Sequence, residues 1–91
     1  MKILIAEDEP DIAMQYELAL KDRKHDVVVT HDGEQALEAF YQELESHEPA
    51  RNQKMMKPPF DAVILDYRMP KKDGMEVAKE ILAIEPKQRI L

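Results

Sequence analysis

A chain of 91 residues makes one small domain, which excludes a two-domain enzyme. Its 44% hydrophobic content suits a soluble fold, its 35% charged content is high, and 13 Lys and Arg against 19 Asp and Glu leave a net charge of −6. That sign gives no global attraction to nucleic acid or anionic lipid, and the absence of cysteine excludes disulfides, thiolate catalysis and Cys-bound zinc or iron–sulfur centres.

The chain opens on Ile3-Leu4-Ile5-Ala6, an apolar run cut off by Glu7-Asp8-Glu9, the pattern of a strand buried on both faces. Pro10 suits the first turn of a helix, and Ile12, Ala13, Tyr16, Ala19 and Leu20 then recur at helical spacing up to the charged cluster Lys21–Lys24. Val27-Val28-Val29 is a second β-branched run. Asp32-Gly33-Glu34-Gln35 has the form of a capping box, followed by a face of Ala36, Leu37, Phe40, Tyr41 and Leu44.

From Ser46 to Pro59 periodicity is lost and three prolines mark an extended loop. Ala62-Val63-Ile64-Leu65 is a third strand ending in Asp66. Asp73-Gly74-Met75-Glu76 repeats the capping form, with Met75, Ala78, Ile81 and Leu82 as the face of a third helix that Pro86 stops. Arg89-Ile90-Leu91 begins a fourth strand. Apolar strands alternating with helices imply an open α/β architecture, a parallel sheet with right-handed crossovers.

Ligands of such sheets bind beyond the carboxyl ends of the strands, where Glu7, Asp8 and Asp66 all fall. Carboxylates gathered there repel one another unless a cation intervenes, and Mg²⁺ suits a few acid oxygens while keeping positions for phosphate. Asp66, alone at the end of its strand, is the candidate nucleophile for an aspartyl phosphate, with Glu7 and Asp8 as the metal pair.

The segments Ile3–Ile12 and Ala62–Gly74 closely resemble the receiver domain of two-component response regulators. The resemblance rests on the acidic pair after the first strand, the aspartate after the third, Met69-Pro70 three and four residues beyond it, and Asp73-Gly74 opening the third helix. It implies a doubly wound flavodoxin-like sheet of order 2-1-3-4, here without the last helix, strand and helix. It further implies that Asp66 accepts a phosphoryl group from a sensor histidine kinase, with Mg²⁺ held by Glu7, Asp8, Asp66 and the backbone carbonyl of Arg68. Pro70 and Gly74 would shape the adjoining turn.

The family more often has Asp where Glu7 stands, its loop before the third strand is usually shorter, and its phosphate-contacting Ser or Thr and Lys fall outside the matched elements. Slow phosphorylation is therefore expected, and so is a sheet edge at residues 89–91 open to a second copy of the chain. The alternative is a non-phosphorylated pseudo-receiver acting as a protein-interaction or dimerisation module. A Mg²⁺-dependent phosphohydrolase is disfavoured by Arg68, since such enzymes usually carry a second acid at that position.

Blander roles compete for several residues. His25, His31 and His47 show no ligand spacing and are expected to be solvated or locally bonded. Tyr16, Phe40 and Tyr41 are expected to pack on the sheet, and Lys71 and Lys72 to form a solvated pair near the site. The chain is expected to be a single partial receiver domain over residues 1–91, cytoplasmic because no apolar run approaches a membrane span and acid follows the first strand too soon for a signal peptide, with no metabolic turnover and no direct nucleic-acid binding.

Overall fold

The central strand β1 (Lys2–Ala6) lies between β2 (Asp26–Thr30) and β3 (Ala62–Leu65), both parallel to it. The structure, a computed structural model, describes residues 1–46, 58–69 and 71–91. Most of the expected Ser46–Pro59 loop (47–57) and Pro70 lie outside the described residues. Leu4 stands opposite both Val28 and Val63, and Ala6 opposite Thr30 and Leu65, so the three strands end level with one another. Helices α1 (Pro10–Asp22), α2 (Gly33–Ser46) and α3 (Gly74–Ile84) supply the crossovers.

Residues 89–91 join the free edge of β3 through a single parallel bridge, Val63 to Ile90. The Val63 amide donates to the Arg89 carbonyl at 3.0 Å and the Leu91 amide to the Val63 carbonyl at 2.8 Å. The fourth strand is thus present as its first bonds only. Gln88, which sequence reading passes over, enforces this edge. It is buried, its Oε1 accepts from the Phe60 amide at 3.2 Å, and its Nε2 donates to the Phe60 carbonyl at 2.8 Å, so one side chain satisfies both backbone groups ahead of β3.

Alternation along the strands sorts the core. Leu4, Ala6 and Val63 turn to one face, where Ala36, Leu37 and Phe40 of α2 and Val77 and Ile81 of α3 meet them, with Phe60 and Met69 closing the ends. Ile3 and Ile5 turn to the other face, toward α1, and are buried as well. Ile3, Leu4, Ile5 and Ala6 are thus buried on both faces, which is why β1 reads as an uninterrupted apolar run.

Helical faces depart from expectation. In α1 only Ala13 is buried, whereas Ile12, Met14, Tyr16 and Leu18 are 42 to 63% exposed, because α2 and α3 share the opposite face and leave α1 without a helix neighbour among the described elements. Tyr41 of α2 is also exposed and makes an edge contact with the core residue Phe40, ring centroids 6.5 Å apart. In α3 the buried positions are Gly74, Val77 and Ile81, while Met75 and Leu82, expected inside, are exposed. The close seating of Gly74 on the preceding loop sets the rotation of that helix.

Both capping aspartates bond as their sequence form implies. Asp32 Oδ1 accepts from the Gln35 amide at 2.8 Å and Asp73 Oδ1 from the Glu76 amide at 2.9 Å. The return bond of the first box goes one residue further out, the His31 amide donating to Gln35 Oε1 at 3.0 Å. Helix α1 ends in a Schellman motif: the Lys24 amide donates to the Lys21 carbonyl, the His25 amide to the Leu20 carbonyl, and Lys24 adopts a left-handed φ of 66°.

Candidate functional site

The sheet register builds the site. The Glu7 amide donates to the Thr30 carbonyl at 3.0 Å and the Asp66 amide to the Ala6 carbonyl at 2.9 Å, extending both ladders by one bond before the chains part. Glu7 and Asp66 therefore leave neighbouring strands at the same height. Carboxylate oxygens of Glu7, Asp8 and Asp66 lie within 4.8 Å of one another. Their floor is fixed by the buried Thr30 hydroxyl, which donates to the Ile5 carbonyl at 2.8 Å. The His31 ring nitrogen Nδ1 lies 3.2 Å from the Glu7 carbonyl oxygen.

Glu7 is buried, and burial pushes its carboxyl above the usual glutamate value; the Glu9 amide, which donates to Glu7 Oε2 at 3.1 Å, pulls the other way, and the charge of Asp66 with hydrogen bonds to Asp66 and Asp8 adds to the rise. Three hard oxygen donors with mutual repulsion and one desolvated member match the needs of a small divalent cation. Arg68, expected to offer its carbonyl, stands exposed on the loop that follows; the cluster itself is made by the three side chains.

That loop rests on two glycines. The Gly74 amide donates to the Tyr67 carbonyl at 2.9 Å, and a Cβ at Gly74 would overlap the Asp66 carbonyl. Gly33, at the start of α2, lies so close to the backbone of Lys72 that a Cβ there would overlap its carbonyl. Lys71 and Lys72 diverge. Lys72 Nζ pairs with Glu80 of α3 at 2.6 Å, which holds its ammonium above the usual lysine range, while Lys71 Nζ lies 3.5 Å from Glu34 and 3.8 Å from Asp32 at the start of α2. Asp32 and Gly33 are site-supporting residues that sequence reading assigned only to capping.

The sequence matches the response regulator receiver domain family over residues 3–91. Among solved structures, the receiver domain of the histidine kinase CKI1 from Arabidopsis thaliana complexed with Mg²⁺ superposes with a TM-score of 0.84 at 26% identity, covering 98% of this chain and 63% of that one. Response regulator protein TrrA from Thermotoga maritima in complex with Mg²⁺-BeF gives 0.76 at 29% identity, covering 98% and 64%. The complex of histidine kinase ThkA with response regulator TrrA gives 0.74 at 29% identity with the same coverage, 98% and 64%. The chain thus spans less than two thirds of the length of these matched chains. Among the described residues, no helix is long and apolar enough to cross a membrane. With the sheet order β2-β1-β3, the three acids at its carboxyl edge and the family match over residues 3–91, this chain belongs to the response regulator receiver domains, which are signalling modules and not metabolic enzymes.

Proposed function

We propose that the chain receives a phosphoryl group on Asp66 from a sensor histidine kinase in the cytoplasm, with Mg²⁺ held by Glu7, Asp8, Asp66 and the Arg68 carbonyl. The observation that carries this reading is the convergence of the Glu7, Asp8 and Asp66 carboxylates within 4.8 Å at the ends of adjacent parallel strands. A carboxylate oxygen of Asp66 attacks phosphorus; the bond from phosphorus to the kinase imidazole nitrogen breaks, and the nitrogen keeps the electron pair. Held by these residues, Mg²⁺ would neutralise charge on the phosphoryl oxygens.

The chain's own part is positional. Half-buried Asp66 is held by its amide bond to β1 and remains reachable past exposed Tyr67 and Arg68, while buried Glu7 presents its carboxylate from a fixed floor. Support for a kinase donor comes from the TrrA relative, seen in complex with ThkA, and support for Mg²⁺ from the Mg²⁺ complexes of TrrA and CKI1. Intact-mass measurement after incubation with Mg²⁺ and acetyl phosphate tests the proposal, with Asp66→Asn as the control expected to stay unlabelled.

A further inference from the structure

Four observations converge on the first turn of α2, which supplies no acid to the cation cluster. Lys71, on the loop after Asp66, has a left-handed φ of 70°, a conformation that a lysine backbone does not favour by itself. Its ammonium is drawn toward two acids of that turn, Glu34 at 3.5 Å and Asp32 at 3.8 Å. The Asp32 side chain is only 9% exposed and is fixed by the Gln35 amide, so it is a rigid anchor. The next loop residue, Lys72, has its backbone against Gly33 with no room for a Cβ. The loop's other contacts, Met69 in the core and Gly74 against the Asp66 carbonyl, complete its seat.

We propose that Lys71 is a positioning residue for the cation site, and that the Asp32-Gly33-Glu34 turn is the mount on which the Asp66 loop is set. The ion pairs hold Lys71 in its left-handed conformation, and Gly33 lets the Lys72 backbone close down on α2. Together they fix the height of the loop segment that begins at Asp66 and carries the Arg68 carbonyl. Lys71 acts through the loop and touches neither metal nor phosphoryl group.

This inference rests on Glu7, Asp8 and Asp66 forming a Mg²⁺ site, and its sign separates it from simple electrostatics. Removing a cation near an acidic cluster should by charge alone tighten Mg²⁺ binding. A positioning role demands the reverse. Lys71→Met keeps the length of the stem while deleting the charge and so frees the loop backbone from the ion pairs, Lys71→Arg restores the charge, and Gly33→Ala disturbs the seat with no charge change.

Mg²⁺ affinity of the 91-residue chain, measured by calorimetry alongside thermal unfolding, decides the matter. The expected result is Mg²⁺ binding weakened about three- to tenfold in Lys71→Met and in Gly33→Ala and within about twofold of wild type in Lys71→Arg, with the melting temperature of Lys71→Met close to that of wild type. Lys71→Met binding Mg²⁺ as tightly as wild type or more tightly, while Asp66→Asn loses it, would overturn the positioning role and leave the cation site standing. Wild type failing to bind Mg²⁺ would overturn both.

Discussion

Glu7 shows at the scale of one residue what the site demands of its components. Its side chain is desolvated beside Asp66 and Asp8, so its carboxyl titrates above the ordinary glutamate value of 4.5. A carboxyl raised in the folded state favours folding fully in acid and loses that contribution as pH climbs through the folded value. Glu7→Gln has no such loss. Without divalent cation the variant is therefore expected to gain stability relative to wild type between about pH 4 and neutrality, read by urea unfolding at each pH. Mg²⁺ should reverse the ranking, since a ligand at a hundredfold its Kd adds about 2.7 kcal/mol to the protein that binds it. Unchanged relative stability across that range would remove the case for a desolvated Glu7 carboxylate.

The three acids were legible in the sequence because Glu7 and Asp66 directly follow the last residues of apolar strands, with Asp8 next to Glu7, and parallel topology brings such positions together. Gln88 and Gly33 were not. A glutamine bonding both backbone groups of Phe60, or a glycine pressed against Lys72, owes its role to a partner distant in sequence, and nothing in its own neighbours announces it.

Strands are the elements that sequence describes best here. Short apolar runs bounded by charge leave little choice of register when both faces are covered, and all three lie within a residue of their expected bounds. Helix existence was equally clear, but the buried face was not. Apolar residues lie around much of α3, and the winner was decided by the Gly74 contact, which buries Val77 and Ile81 and exposes Met75 and Leu82. Ile81→Ala is accordingly expected to cost about 2 to 5 kcal/mol and Met75→Ala within about 0.5 kcal/mol, both from denaturant midpoints. Equal costs would mean that α3 is rotated from the orientation described.

The end of α1 offers a stabilising change. Lys24 occupies the left-handed position of a Schellman motif at φ 66°, where glycine carries no Cβ penalty. Lys24→Gly is expected to raise stability by about 0.5 to 1 kcal/mol in the same measurement, the gain in native-state ease outweighing the added freedom of the unfolded chain. A loss of stability would show that the lysine stem makes contacts worth more than the backbone strain.

Across the whole molecule, one sheet face is built and the other is thinly covered. Leu4, Ala6, Val63 and the residues of α2 and α3 form one continuous core, while α1 leaves Ile12, Met14, Tyr16 and Leu18 open. The functional edge belongs to neither face. It lies at the carboxyl ends of β1 and β3, where the loop after Asp66 is braced by Gly33 of α2 and Gly74 of α3. The helices of the built face thus hold the loop beside the cluster of Glu7, Asp8 and Asp66. Other acids bond within or between the elements: Asp32 caps α2, and Glu17 and Glu43 pair with Lys21 and Lys2.

The proposal that Asp66 takes up phosphate with Mg²⁺ at this edge is tested most directly by mass spectrometry of the chain treated with acetyl phosphate. Wild type is expected to gain the mass of a single phosphoryl group, slowly, on the peptide containing Asp66, and only when Mg²⁺ is present; Asp66→Asn is expected to gain none. No gain on wild type, or an undiminished gain on Asp66→Asn, would contradict the account.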